Sequence, residues 1–321
     1  MLLRIDRLTK EYRRGVRAND EICLEVTAGQ VVGLFGHNGA GKTTLLHQVV
    51  GLVRPTSGSI HIGGKDVVAD PALARRICSL QPQSQAPLEG VTPRQAIEIM
   101  ARIRGADRKR AQRRATELLA ALELDEWADT VGQKLSGGVR RLTAFCMAAA
   151  EPGDIVMLDE PTNDVDPVRR RLLWHQIRSL ADGGRTVLLV THNVVEAERS
   201  VARLVVLHRG RIVAEGTPAQ LRGGHGDWLR LEFTAADADP ATLAKEFTGA
   251  TAPSETRAAQ TGRRVVIPIH ATEASNAIAW AQRQRDRGRL DEFSVTPIGL
   301  EDIYVGLVDA GTEAPRATRA A

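Results

Sequence analysis

Short apolar runs recur along the first part of the chain. They lie at Val31–Phe35, Ile155–Leu158, Thr186–Val190 and Leu204–Leu207, and helical patterns separate them. Runs of this length fit buried strands, and their alternation with helices is typical of a parallel sheet. The pattern predicts an α/β fold with helices on the faces of the sheet.

Two other patterns accompany this sheet. Residues Leu2–Leu8 alternate between apolar and polar side chains, which predicts an antiparallel edge strand. From Thr92 the apolar spacing becomes helical, and Gln95 three residues later completes a capping box. A second helix is predicted from about Asp107 to Leu122. We therefore expect a helical insertion over Thr92–Trp127, within a helical subdomain of about residues 92–150.

The last third of the chain has its own pattern. A glycine-rich linker is predicted at Gly224–Gly226. Three strand-like segments (WLRLEF, RRVVIPI and DEFSVTP) and two helical segments, Pro240–Phe247 and Thr272–Arg285, follow it. We expect a domain at residues 1–222, a small α+β domain at 227–308, and a disordered tail at 309–321.

Composition narrows the choice of partners. The chain has 321 residues, 43% of them hydrophobic and only 3% aromatic, with a formal charge of +4. Few aromatic side chains are available for stacking on bases, so no nucleic-acid partner is expected. No apolar stretch approaches the roughly 20 residues of a spanning helix, and the N-terminus lacks a signal-peptide core. The three cysteines lie among apolar neighbours and are expected to be buried thiols in a reducing compartment.

A phosphate-binding loop follows the first apolar run. Gly36, Gly41, Lys42 and Thr43 complete the pattern G-x-x-x-x-G-K-[ST] between a predicted strand and a predicted helix. Lys42 is expected to reach the β- and γ-phosphates, and Thr43 to bind Mg²⁺. The predicted nucleotide-binding residues of the loop are Gly36, His37, Asn38, Gly39, Ala40, Gly41, Lys42, Thr43 and Thr44.

A second motif, IVMLDEPTNDVD, ends a buried strand in two carboxylates. Buried carboxylates are costly unless they meet a cation or a reacting group. Asp159 is predicted to hold Mg²⁺, and Glu160 to act as general base on the attacking water. A solvated loop is the alternative for such a pair considered alone.

The order and spacing of these motifs resemble the nucleotide-binding subunit of an ABC transporter over roughly Met1 to Arg222. Leu135–Gly138 reads LSGG, the signature of that family. The resemblance implies that Gln83 senses Mg²⁺ and the γ-phosphate, that His192 is the switch histidine, and that Tyr12 stacks on adenine. Taken alone, His192 and Tyr12 also fit structural roles.

The resemblance further implies two cassettes paired head to tail, with ATP between them. Ser136, Gly137 and Gly138 would then serve the γ-phosphate of the partner cassette, with the following helix aimed at it. Asp166 would act in the D-loop. Two departures concern this interface: Val139 replaces the usual glutamine, and the D-loop sequence is NDVD.

Near the C-terminus, GLEDIYVGLV at Gly299–Val308 is similar to a helix of drug- and antibiotic-export cassettes. The alternative is a generic amphipathic helix. We expect an ATP- and Mg²⁺-dependent ATPase subunit, in the cytoplasm and on the inner face of the membrane, that powers an exporter through a separate permease. The alternatives are a non-transport ABC ATPase and a regulatory nucleotide-binding module. The arginine-rich segment Arg108–Arg114 is expected to be a solvated helix face.

Overall fold

The computed structural model describes residues 2–13, 15–84, 86–191, 197–198, 200–223, 227–248 and 259–299. The chain divides into two compact units, Met1–Pro218 and Ala219–Ala321. No helix in these described ranges is both long and apolar enough to cross a bilayer.

The first unit contains an antiparallel sheet of four strands in the order β2-β1-β4-β5. Its strands are β1 (Leu3–Tyr12), β2 (Val16–Val26), β4 (Ser57–Ile62) and β5 (Lys65–Asp66). The prediction that β1 is an edge strand was wrong, because β4 supplies a second partner on its other side. Leu3 pairs with Ile62 and Ile5 with Ile60 in that register.

The second sheet of this unit has six strands in the order β10-β9-β3-β8-β7-β6. The strands are β3 (Val31–Phe35), β6 (Cys78–Gln81), β7 (Ile155–Asp159), β8 (Thr186–Val190), β9 (Arg203–His208) and β10 (Arg211–Gly216). Strands β3, β6, β7, β8 and β9 are parallel, and β10 pairs antiparallel with β9. The carboxyl ends of the parallel strands therefore meet at one edge, where α/β folds bind ligands.

Helices surround this sheet and form the insertion. They are α1 (Lys42–Val49), α2 (Pro71–Ile77), α3 (Pro93–Ile103), α4 (Arg108–Ala121), α5 (Gly137–Ala149) and α6 (Pro167–Asp182). A short helix, α7 (Pro218–Arg222), follows at the boundary between the two units. The predicted capping box of α3 is confirmed: the Thr92 hydroxyl accepts from the Gln95 amide, and the Gln95 side chain accepts from the Thr92 amide. Helices α3, α4 and α5 pack against one another.

One hydrophobic cluster joins both sheets of the first unit. Ile5 from the antiparallel sheet, Leu34 from the parallel sheet and Leu46 from α1 all belong to it, and each is at most 2% exposed. Burial of this apolar surface fixes α1, and with it the loop that precedes α1.

The cysteine prediction holds at two of three positions. Cys78 and Cys146 are buried, and burial raises the pKa of each thiol to about 12. Cys23 is exposed, because β2 alternates and turns Ile22 and Leu24 inward instead. The Cys23 sulfur accepts a hydrogen bond from the Arg7 amide at 3.3 Å.

The second unit has the element order βαββαβ. It consists of β11 (Trp228–Ala235), α8 (Pro240–Thr248), β12 (Ala259–Thr261), β13 (Arg264–His270), α9 (Ala274–Asp286) and β14 (Leu290–Pro297). Its antiparallel sheet has the order β12-β13-β11-β14, a ferredoxin-like arrangement. Leu231, Phe233 and Ile267 lie in its own hydrophobic cluster. The predicted linker, the predicted helix at 300–308 and the tail at 309–321 fall outside the described residues.

Candidate nucleotide-binding site

The phosphate loop between β3 and α1 approaches neighbouring backbone too closely for any side chain at two positions. A Cβ on Gly36 would lie 2.3 Å from the Leu207 carbonyl oxygen. A Cβ on Gly41, whose φ is +100°, would lie 2.1 Å from the Ala18 carbonyl oxygen. Glycine is therefore required at both positions by contact as well as by conformation.

The Lys42 side chain folds back onto the backbone of this loop. Its side-chain Nζ donates to the Gly36 carbonyl at 2.6 Å and to the His37 carbonyl at 3.0 Å. The residue is only 6% exposed, and burial lowers the pKa of Lys42, although Glu160 and Asp159 oppose that shift. The ammonium group is thus held at the mouth of the loop, where it can meet phosphate oxygens.

Thr43 and Asp159 bring together the two predicted metal-binding elements. The Thr43 hydroxyl donates to Asp159 Oδ2 at 2.7 Å. The other carboxylate oxygen, Oδ1, is buried and has no hydrogen-bond partner among the described residues. Burial raises the pKa of Asp159, the Thr43 hydrogen bond opposes it, and the negative charge of Glu160 adds to it. An unsatisfied carboxylate oxygen beside a hydroxyl fits a hard cation such as Mg²⁺.

Glu160 follows directly and turns the chain at the end of β7. Its φ is 52°, in the left-handed region, and its amide donates to the Val190 carbonyl at 2.9 Å. The residue is 3% exposed and lines the same cavity as Asp159. The two consecutive carboxylates are therefore presented to one space.

That space is a cavity of about 330 Å³ at the carboxyl edge of the parallel sheet. It brings together the phosphate loop, both carboxylates and Gln83 from the segment after β6. Its lining residues are Ala18, Asn38, Gly39, Ala40, Gly41, Lys42, Thr43, Thr44, Gln83, Asp159, Glu160 and Val190. The volume and the mixture of cationic, acidic and backbone groups suit a phosphate-bearing ligand with a metal ion.

Sequence reasoning missed several contributors. Ala18 lines the cavity, and the Asn19 side chain, 0% exposed, donates to the Gly41 carbonyl at 3.1 Å. Gln48 Nε2 in turn donates to Asn19 Oδ1 at 2.7 Å. In the sequence, Asn19 is recognisable only as a polar residue at an inward-facing position of β2. That pattern does not indicate which group the side chain contacts. His208 was also missed: its ring lies edge-on to that of His37, with centroids 5.2 Å apart.

The signature residues are not among those that line this cavity. Ser136 precedes α5 and its hydroxyl accepts from the Val139 amide at 3.3 Å, while Gly137 and Gly138 begin the helix. A Cβ on Gly138 would lie 2.5 Å from the Asp164 carbonyl oxygen. The signature helix therefore packs directly on the D-loop of its own chain.

Asp166 also has a local structural role. Its carboxylate caps α6, accepting from the amides of Val168 and Arg169 at 3.0 Å each. The backbone hydrogen bond from Arg169 is the main reason that the pKa of Asp166 is lowered.

Two predicted residues remain. Tyr12 ends β1 and is 44% exposed, with Lys10 Nζ 5.1 Å from its ring centroid. It does not line the cavity, and its role towards adenine stays a prediction. His192 lies outside the described residues, two positions after Val190, which lines the cavity.

Comparison with known proteins shows the family of this chain. Residues 20–163 match the model of the ABC transporter family. The daunorubicin/doxorubicin resistance ATP-binding protein DrrA of Streptomyces peucetius is 32% identical over 94% of this chain and 90% of that protein. The Nod factor export ATP-binding protein I of Burkholderia thailandensis is 34% identical over 90% of this chain and 91% of that protein.

A solved dimeric structure of an ATP-binding cassette in a post-hydrolysis state, bound to ADP and Pi, has the same fold. Its TM-score is 0.62 at 25% identity, over 67% of this chain and 98% of that one. The chain therefore belongs to the ATP-binding proteins of ABC transporters and is an ATPase subunit of that family.

Proposed function

We propose that this ATPase powers export through a separate membrane permease. One observation carries the proposal: the similarity to the drug-resistance protein runs through 94% of the chain, and so through both units. A match confined to the cassette would point only to ATP hydrolysis. The second unit is part of what the two proteins have in common.

Within the cavity we assign the following roles. Lys42 and the loop amides bind the phosphates, since both face the space between the loop and the carboxylates. Thr43, Asp159 and Gln83 would hold Mg²⁺, which when bound neutralises charge on the phosphates. Glu160 accepts a proton from the attacking water. The family resemblance adds two further assignments: His192 steadies the γ-phosphate, and Tyr12, which does not line the cavity, stacks on adenine.

A head-to-tail dimer completes the site in this proposal. Ser136, Gly138 and Asp166 do not line the cavity of their own chain, which supports a role towards the nucleotide of a neighbour. Val139, at the usual glutamine position, is 6% exposed and lies on the buried side of α5. At position 139 the chain can therefore contact that nucleotide only through its backbone, because valine has no polar side-chain group.

The permease would hold the ATPase at the inner face of the membrane and select the substrate. An amphipathic small molecule is the class suggested by the drug-resistance relative. The basic helix α4 is largely ion-paired, through Arg110 to Glu151 at 2.7 Å and Arg114 to Glu117 at 2.7 Å. These pairs favour a solvated face for this segment over a lipid-binding one.

The proposal is tested in inside-out vesicles that contain this chain and a membrane protein with about six spans from an adjacent reading frame. ATP-dependent uptake of daunorubicin is expected with the parent chain and not with Glu160→Gln. A permease that neither copurifies with the chain nor changes its ATPase rate would overturn the transport role. Stimulation of the ATPase by ribosomes or DNA would instead support the non-transport alternative.

A further inference from the structure

Two arginines, Arg104 (partly buried) and Arg141 (buried), tie the helical insertion to the sheet. Arg104, just after α3, donates from Nε to the Glu151 carbonyl at 2.6 Å and from Nη1 to the Cys78 carbonyl at 3.0 Å. Arg141, in α5, donates from Nη1 to the Gln83 carbonyl at 2.6 Å and to the Pro82 carbonyl at 3.4 Å. Arg104 thus contacts the beginning of β6, and Arg141 contacts the segment after its end.

Arg141 both donates hydrogen bonds to this segment and accepts one from it. Arg141 is 6% exposed, and its own carbonyl accepts from the side chain of Gln81, which is 0% exposed, at 3.4 Å. Hydrogen bonds from a charged donor are stronger than neutral ones, and Nη1 makes both contacts here, whereas Nε of Arg141 is buried without a partner among the described residues. Three hydrogen bonds therefore join residues 81–83 to α5.

This contact joins two functional elements. Gln83 lines the cavity with Lys42 and Asp159. Arg141 lies five residues after Ser136, so α5 carries both the end of the signature and the contact with Gln83. The same helix packs on the D-loop through Gly138 and Asp164.

We propose that Arg141 is a positioning residue that sets the main chain at Gln83, and with it the position of the Gln83 side chain in the cavity. The inference rests on the proposed role of Gln83 towards Mg²⁺ and the γ-phosphate. Lysine is the conservative replacement, because one nitrogen of Arg141, Nη1, makes both contacts and an ammonium group also carries several donors.

The test compares Arg141→Met with Arg104→Met, which removes a similar clamp between insertion and sheet away from the cavity. In nucleotide-free protein, amide hydrogen exchange in peptides containing Gln81–Ser84 should become several-fold faster in Arg141→Met only. The Mg²⁺ concentration for half-maximal ATPase activity should rise on the order of tenfold. Arg141→Lys should show a smaller change in the exchange rate and in the Mg²⁺ concentration. The lysine variant replaces the methionine variant in the test if the latter does not fold.

A double-mutant cycle with Gln83→Ala distinguishes the positioning role of Arg141 from the assigned role of Gln83 towards Mg²⁺. If Arg141 acts through Gln83, then Arg141→Met adds no further Mg²⁺ shift to Gln83→Ala. If Gln83→Ala alone leaves the Mg²⁺ dependence unchanged, the assigned role of Gln83 is wrong. If Gln83→Ala shifts it while Arg141→Met does not, or if Arg104→Met shifts it equally, the positioning role of Arg141 is refuted.

Discussion

The Thr43 hydroxyl donates to Asp159 Oδ2 at 2.7 Å, joining the first turn of α1 to the last residue of β7 across 116 residues of sequence. Only one carboxylate oxygen is satisfied in this way, and Oδ1 remains buried without a partner among the described residues. The hydrogen bond therefore orders the Asp159 side chain, while the buried negative charge of the same side chain destabilises the folded protein.

The first prediction concerns the free energy of unfolding. Asp159→Asn should stabilise the nucleotide-free protein at neutral pH by about 1 kcal/mol, because it removes a buried charge next to Glu160. Burial raises the pKa of Asp159, so the charged form is penalised in the folded state at pH values above that pKa. The advantage of the variant should therefore shrink as the pH falls through the raised pKa and the parent carboxyl becomes neutral.

Urea unfolding at a series of pH values measures this difference. Asp129→Asn is the control, since its side chain is 74% exposed. If Asp159→Asn is less stable than the parent at neutral pH without nucleotide, surrounding groups already offset the cost of burying the Asp159 charge, and the prediction is wrong. In the presence of Mg²⁺ and ATP the order should reverse, because binding stabilises only the parent.

Glu160→Gln tests the assigned general base. It should retain ATP binding and lose steady-state hydrolysis by roughly 10²–10⁴-fold, the usual contribution of a positioned base. It should also accumulate as an ATP-bound dimer on gel filtration. Phosphate release measures the rate, with the exposed Glu89→Gln as a surface control. Turnover close to that of the parent would remove Glu160 from this role.

Mixed dimers test whether the signature acts on the neighbouring nucleotide. Lys42→Ala removes a charged contact worth roughly 1.5–3 kcal/mol, and Ser136→Arg should obstruct the closed interface. Each homodimer should be nearly inactive. In a head-to-tail mixed dimer both lesions fall in one site and the other site is intact, so mixing should restore part of the activity.

Two controls accompany the mixing experiment. Ser136→Ala removes the hydroxyl, and with it an α5 cap worth about 1 kcal/mol, without adding the bulk and charge that arginine brings to the interface. Crosslinking through the γ-phosphate of an ATP analogue, with one chain mass-tagged, should label the Ser136 region of the opposite chain. Labelling confined to the chain whose Lys42 binds the nucleotide would contradict the assignment.

Truncation tests the independence of the first unit. Removal of all residues after Arg222 should leave a folded protein that binds ATP as the full chain does, because each unit has its own hydrophobic cluster. Circular dichroism and fluorescent-nucleotide binding measure this. Transport in vesicles should be lost. A folded truncation that no longer binds ATP would mean that the second unit contributes to the site.

The sequence predicted those features that depend on local chemistry. The phosphate loop, the capping box at Thr92 and the acidic end of β7 follow from residue types at fixed spacing, and each lies where the pattern indicated. Such motifs combine a backbone conformation and a ligand within a few residues.

Features that depend on distant partners were not predicted. Strand β4 offers only Ile60 and Ile62 as apolar positions beside glycine and serine, so its pairing with β1 gave no sequence signal. Arg141 looks like a surface residue in the run VRRL, and its acceptor at Gln83 is 58 residues away. The ferredoxin-like order of the second unit was missed for the same reason, since β12 has only three residues.

The backbone at Glu160 has a consequence for the stability of the fold. A residue other than glycine with φ of 52° carries strain on the order of 1–3 kcal/mol. Glycine or asparagine would relieve part of that strain. A substitution that makes this turn more stable would therefore also remove the carboxylate of residue 160 from the cavity.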